Sequence, residues 1–291
     1  MNNIDWSIPG ADGEMILGNT QFPKSDSPGA VAIICHGFKG YKDYGFIPYL
    51  TQQMAKHGIV AHRFNFSHSG MTNHLDTFER PDLFEKDSWS RQIHDLQAVS
   101  KAIRDNHLAG ADLPMIWFGH SRGGITSLLA AAHTYQNKQL VQPSGLIIAA
   151  SPCTTDTLDA DQKKALRHFG YLESPSARTG QMLRIGRTAL DEIESDPDGF
   201  DPLRAIRQIH IPILILHGDD DETVPVEAAY HYAQAAEIRG QLHIIAQANH
   251  VFNGQNPLPT DIPPPAQLEQ MIQAACDFTL TVSRPSRGHT S

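Results

Sequence analysis

Short, mostly apolar runs recur along the chain and alternate with stretches whose apolar residues repeat every three or four positions. The runs are Ala30-Val31-Ala32-Ile33-Ile34-Cys35, Val60 to Phe64, Leu113 to Phe118, Gly145 to Ala150, Ile211 to His217 and Leu242 to Ala246. Runs of this length without polar alternation suit strands buried on both faces of a parallel sheet. Between them, residues 45–57 read as a helix. The series Ile93, Leu96, Val99, Ile103 and Ile125, Leu128, Leu129, Ala132 keep helical spacing, and a last helix is expected near 266–280. Residues 4–19 read as two edge strands around the Pro9-Gly10 and Asp12-Gly13 turns. This alternation predicts an α/β fold, a mostly parallel central sheet with crossover helices on both faces.

The alternation breaks once. About 60 residues separate the run at 145–150 from the one starting at Ile211, far more than a compact connection needs. An inserted, mostly helical cap is therefore expected over 152–205, on a core made of 1–151 and 206–284. Residues 285–291 read as a frayed tail. Leu166, Phe169, Tyr171, Leu172, Met182, Leu183 and Ile185 give the cap an apolar side. Tyr171, Leu172 and Met182 are the candidates for substrate contact, although packing of the cap onto the body accounts for most such residues.

Composition narrows the classes of function. With 291 residues and 40% hydrophobic content the chain can fill one large core. Its 23 basic and 32 acidic residues leave a net charge of -9, which disfavours nucleic acid as a partner. The amino terminus has neither a basic leader nor an apolar core, and no stretch approaches membrane-spanning length, so a cytoplasmic protein without a membrane partner is expected. Cys35, Cys153 and Cys276 are an odd, widely spaced set, against both a disulfide framework and a zinc site. The 16 histidines include no His-x-His and no His-Glu-x-x-His. His62, His68 and His74 lack a supporting carboxylate pattern, and no metal is expected.

The chemistry concentrates at the ends of the runs. Ile116-Trp117-Phe118 leads into Gly119-His120-Ser121-Arg122-Gly123, a Gly-x-Ser-x-Gly pattern between a buried strand and a helix. The glycines allow the sharp turn that holds Ser121 up at the amino end of the helix, where backbone N–H groups favour an anion. A hydroxyl needs a base to take its proton and a carboxylate to orient that base. Downstream, His217-Gly218-Asp219-Asp220-Asp221-Glu222 follows one strand, and Asn249-His250 follows the next. His120 reads as packing or hydrogen-bonding beside the serine turn, and His217 as a strand-end residue next to the acids.

The order Ser, Asp, His after successive strands resembles the α/β-hydrolase family over nearly the whole chain. The resemblance implies Ser121 as nucleophile and His250 as general base. The acid falls on Asp221, at the third position after His217-Gly218 and before Val224-Pro225, leaving Asp219 and Glu222 solvated. It also implies an oxyanion site made by the backbone N–H groups of Phe38, after His36-Gly37, and Arg122, after the nucleophile. Packing as an aromatic is the lesser alternative for Phe38. His36-Gly37-Phe38-Lys39-Gly40 looks most like the bacterial cinnamoyl and feruloyl esterase group. It also resembles dienelactone-hydrolase-like proteins, but true dienelactone hydrolases use cysteine where this chain has Ser121.

The expectation is a serine carboxylesterase that hydrolyses small acyl or aryl esters, hydroxycinnamoyl esters among them, through an acyl-enzyme and without a cofactor. A peptidase or amidase using the same three residues is the alternative, with thioesters and lactones also open. From another class comes a non-catalytic ligand-binding protein of the same fold. Residue spacing fixes neither the pocket shape, the physiological substrate nor the oligomeric state.

Overall fold

The computed structural model describes residues 2–284; the expected tail at 285–291 lies outside them. In chain order the first elements are β1 (Asn3–Pro9), β2 (Met15–Gln21), β3 (Ala30–Cys35), α1 (Ile47–Lys56), β4 (Ile59–Asn65), α2 (Pro81–Lys86), α3 (Trp89–Arg104), β5 (Met115–His120), α4 (Arg122–Gln136) and β6 (Gly145–Ala149). Between β6 and β9 the chain forms α5 (Ala160–Phe169), β7 (Tyr171–Pro175), β8 (Met182–Gly186), α6 (Thr188–Ser195) and α7 (Pro202–Gln208), the last of which packs in the core of the body. The chain then forms β9 (Ile213–Gly218), α8 (Glu227–Ala236), β10 (Gly240–Ile245) and α9 (Ala266–Val282).

Eight strands make one sheet in the order β1-β2-β4-β3-β5-β6-β9-β10. The β1–β2 and β2–β4 pairs are antiparallel and the remaining pairs parallel. Side chains alternate across each strand, so one apolar run feeds two cores. Val31, Ile33, Cys35 and Trp117 meet apolar residues of α3, α4, α7 and α8 on one face. Ala32, Ile34, Ile116 and Phe118 meet those of α1 and α9 on the other. Burial on both faces explains why these strands read as continuous apolar runs. Because β3, β5, β9 and β10 are parallel, the loops that follow them leave from the same sheet edge.

Two elements were not expected from the sequence. Helix α2 starts at Pro81, directly after the polar loop Ser67 to Arg80. The insertion has three helices, but it also contains the antiparallel hairpin β7–β8, with Tyr171 opposite Gly186 and Pro175 opposite Met182. Its turn is closed by the Ser176 N–H on the Gln181 carbonyl at 2.9 Å. Gly186 lies so close to the Glu85 carbonyl of α2 that a Cβ there would collide with it. The insertion is fastened at a second point by Glu192 of α6. Its carboxylate accepts from the Ser88 hydroxyl at 2.8 Å, the Trp89 N–H at 2.9 Å and the Ser90 N–H at 3.3 Å. It thereby occupies otherwise unpaired donors at the start of α3.

Three histidines are buried in neutral form. The His62 Nε2–H donates to the Ala109 carbonyl at 2.9 Å, and its Nδ1 accepts from the Thr20 hydroxyl at 2.9 Å. In His36 the Nδ1–H donates to the Gly37 carbonyl at 2.8 Å, and Nε2 accepts from the Phe66 N–H at 3.3 Å. The His120 Nε2–H donates to the His250 carbonyl at 2.9 Å. Burial lowers the pKa of His36 and His62 to about 4 and that of His120 to about 3. Unfolded, each would titrate near 6.5. Between those values the unfolded chain binds more protons, so stability is full above pH 6.5 and falls as pH drops toward 4. Each residue contributes on the order of 1 kcal/mol per pH unit inside that window, and the three act in the same direction. Against a total stability of about 5–15 kcal/mol, the melting temperature should drop steeply from pH 6.5 to pH 4.5. Calorimetric scans giving a flat melting temperature over that range would contradict this burial.

Candidate active site

The turn after β5 carries Ser121 in the left-handed half of backbone space, with φ 54° and ψ -123°. A non-glycine residue held there costs about 1–3 kcal/mol, which the surroundings must offset. The Ser121 N–H donates to the Ala149 carbonyl at 2.8 Å. Its carbonyl accepts from the Gly124 N–H at 2.9 Å and the Ser151 hydroxyl at 3.0 Å. The flanking glycines are a packing requirement. A Cβ at Gly119 would fall on the Gly123 carbonyl, and one at Gly123 would fall on the carbonyl oxygens of Cys35 and His36. Only at this separation can the first turn of α4 sit against the end of β3.

Three side chains from three strand ends converge here. The Ser121 hydroxyl donates to His250 Nε2 at 3.1 Å, and His250 Nδ1–H donates to Asp221 Oδ2 at 2.8 Å. The Asp221 side chain is fully buried, while that of His250 is 19% exposed. The other Asp221 oxygen accepts from the backbone N–H groups of Thr223 and Val224, both at 2.9 Å. His217 Nε2 lies 3.3 Å from Asp221 Oδ2 and 2.9 Å from the Val224 carbonyl. Burial pushes the Asp221 carboxyl up, but hydrogen bonds from His217, His250 and the Val224 amide outweigh it. The net effect holds Asp221 well below the usual carboxylate range, ionised beside His250. Asp219 and Asp220 are exposed, and Asp219 accepts the Gln247 N–H at 2.6 Å.

The loop after β3 closes the arrangement. Gly37 packs against Ser121, since a Cβ at Gly37 would lie 3.1 Å from the Ser121 Cβ. Among the described residues, no hydrogen bond occupies the N–H of Phe38 or that of Arg122, the first residue of α4. Two free donors beside a hydroxyl can hold an oxygen that gains negative charge. The Phe38 side chain, 43% exposed, lies tilted against Phe84 and so also packs. His36 braces this loop through the Gly37 and Phe66 contacts, and the sequence reading did not single it out. The His-Gly pair at the end of a strand was its signal. The Arg122 guanidinium stacks on the Trp89 ring at 3.8 Å and stands 3.6 Å from Asp87. Burial raises the Asp87 carboxyl to about 6.

Two cavities flank Ser121. The first, of about 280 Å³, has apolar walls from Ile125 of the body and from Leu158, Leu166, Ile185, Leu190 and Val224. The second, of about 180 Å³, is lined by Lys39, Tyr44, His120, Ser176, Arg178 and His250. The expected contacts from the insertion are in part corrected. Tyr171, Leu172 and Met182 line neither cavity. Met182 is 57% exposed, and Tyr171 lies under the Arg184 guanidinium at 4.0 Å. From β8 it is Ile185 and Gly186 that line the first cavity. Among the described residues, no group of three or more His, Cys, Asp or Glu could hold a metal ion, and no helix is long and apolar enough to cross a membrane.

Comparison with known proteins bears on the fold and the family. Among solved structures, Est1E from Butyrivibrio proteoclasticus is similar at 17% identity and a TM-score of 0.67, over 96% of this chain and 98% of that one. The esterase domain of a Rhodothermus marinus protein matches at 18% identity and 0.65, over 97% and 99%. A putative hydrolase from Agrobacterium vitis matches at 18% identity and 0.72, over 96% and 100%. No curated protein sequence matches. The family model described as "Alpha/beta hydrolase family" matches residues 32–260, which span β3 and its loop, the Ser121 turn, the Asp221 loop and His250. With this match over most of its length, and with Ser121 between β5 and α4, Asp221 after β9 and His250 after β10 of one mostly parallel sheet, this chain belongs to the α/β-hydrolase family.

Proposed function

We propose that the protein is a serine carboxylesterase acting on small acyl or aryl esters, hydroxycinnamoyl esters among them. The observation that carries this reading is the hydrogen-bonded chain Ser121–His250–Asp221, at 3.1 and 2.8 Å, beside two unpaired backbone N–H groups. Ser121 Oγ attacks the ester carbonyl carbon while its proton passes to His250 Nε2. The resulting oxyanion is held by the Phe38 and Arg122 amides, and Asp221 stabilises the imidazolium. The bond to the alcohol oxygen then breaks, and His250 gives its proton to the departing alcohol. Water, deprotonated by His250, attacks the acyl carbon and releases the acid, and Ser121 regains its proton.

Which cavity takes which half of the ester follows from the proton path. The leaving oxygen must be within reach of His250 Nε2, so the alcohol lies in the cavity that His250 lines, and the acyl group in the apolar one. Apolar walls suit an alkyl or aromatic acyl chain. Est1E, a similar structure, has been solved with ferulic acid bound, and the Rhodothermus marinus neighbour is described as an esterase domain. Both favour an ester over an amide.

A fluorophosphonate probe should label Ser121, and the protein should hydrolyse p-nitrophenyl acetate and methyl ferulate faster than an aminoacyl anilide. No labelling would indicate a site that binds without turnover. Preference for the anilide would make the protein a peptidase.

A further inference from the structure

The two cavities beside Ser121 differ in charge as well as in polarity. The cavity on the His250 side carries Lys39 and Arg178 in its wall and no carboxylate. This is unexpected in a chain with 32 acidic and 23 basic residues. Neither cation has an acidic partner within ion-pair distance among the described residues. Their positions are nevertheless fixed by other contacts. The Lys39 ammonium donates to the Pro175 carbonyl of the hairpin at 2.8 Å, which leaves two of its three N–H groups free. Lys39 itself has a left-handed φ of 56°, so the backbone departs from its easiest path where this side chain is presented.

Arg178 sits in the hairpin turn across the cavity. Its guanidinium stacks over Tyr41 at 4.6 Å and Phe78 at 5.2 Å and donates to the Leu75 carbonyl and, at 3.3 Å, to Met71 Sδ, contacts that lie behind the cavity wall. Tyr44 and Ser176 add hydroxyls to the same lining. Lys39 and Arg178 thus bring two positive side chains to the wall of one small cavity whose lining has no carboxylate, and like charges brought near one another repel. Burial lowers the Lys39 ammonium from its usual value, a cost that an anion in the cavity would relieve. The apolar cavity has no such feature, because its one cation, Arg122, faces Asp87 and Trp89.

We propose that the His250-side cavity recognises a carboxylate on the alcohol half of the ester, with Lys39 and Arg178 as its binding residues. The preferred substrates are then esters whose leaving group is a hydroxy acid. This rests on the esterase reading above and adds to it the charge of the leaving group. A partly desolvated charge-assisted contact to two cations is strong enough to be read in the specificity constant.

The test compares two esters with one acyl group, 4-(butanoyloxy)benzoate and its methyl ester. Each kcat/KM is divided by the ester's rate of alkaline hydrolysis, which removes the difference in leaving-group reactivity. Wild type should favour the anionic ester by about tenfold, and added salt should erode that preference. K39Q should lower the ratio by about threefold or more whatever it does to either rate alone. R178Q should do the same if it folds, and K39Q carries the test if it does not. A wild-type ratio near one, or a ratio unchanged by K39Q, overturns the inference while ester hydrolysis stands. Hydrolysis of neither ester, without fluorophosphonate labelling, overturns the esterase reading itself.

Discussion

Replacing Ser121 with alanine is expected to lower kcat for ester hydrolysis by about a million-fold, to the level that binding and the free amides alone can support. The size follows from the arrangement. Without Oγ there is no atom for His250 Nε2 to deprotonate at 3.1 Å, so no acyl-enzyme forms. Because the residues act as one unit, adding His250→Ala to the serine variant should cost little more, which separates a shared mechanism from two independent losses. The fold should survive. The backbone contacts of residue 121 run through its own N–H and carbonyl, to Ala149, Gly124 and Ser151, and alanine keeps them all. Steady-state kinetics beside a thermal melt check both parts, and an alanine variant within tenfold of wild type would end the nucleophile assignment.

Asp221→Asn is expected to cost about four orders of magnitude in kcat with little change in KM. The reason lies in the way the carboxylate is shared. One oxygen accepts two backbone N–H groups, from Thr223 and Val224, and the other faces the ring N–H groups of His250 and His217. An asparagine has one oxygen for these two acceptor positions. The rigid turn claims it, so the NH₂ group points at His250 and forces the proton onto Nε2, where it blocks the serine. Asp219→Asn and Asp220→Asn should stay within a fewfold of wild type, because both are exposed and neither contacts the histidine. Parallel kinetics on the three variants decide the matter, and a larger loss at Asp219 or Asp220 would move the acid.

The parts of this molecule that could be read from its sequence are those where one physical demand dominates. Strands β3, β5 and β9 are buried on both faces, so apolar residues fill them up to their carboxyl ends, aliphatic in β3 and β9 and with Trp117 and Phe118 in β5. The serine turn needs glycines that nothing else in the chain imitates, and parallel strands force their trailing loops to one edge. The insertion obeys no single demand. Tyr171–Pro175 and Met182–Gly186 are mostly exposed or half-buried, so neither a period of two nor one of 3.6 stands out, and the hairpin was invisible. That Tyr171, Leu172 and Met182 line neither cavity was hidden for the same reason, since apolar character alone does not tell which residues of the insertion reach the cavity. Helix α2, six residues long, offered too short a pattern. His36 and the Lys39–Arg178 pair depend on contacts 30 and 136 positions apart along the chain, beyond any local signal.

The carboxylate of Glu192, seated on the first amides of α3, bears on how the apolar cavity would act in the esterase proposed above. Trp89, whose ring supports the Arg122 guanidinium, donates its own amide to Glu192, while Leu190 and Ile193 on the same helix form the roof. Roof and floor are thus bolted together next to the reacting carbonyl. In the proposed esterase, a chamber tied in this way would sort acids by its outline, as a gauge does.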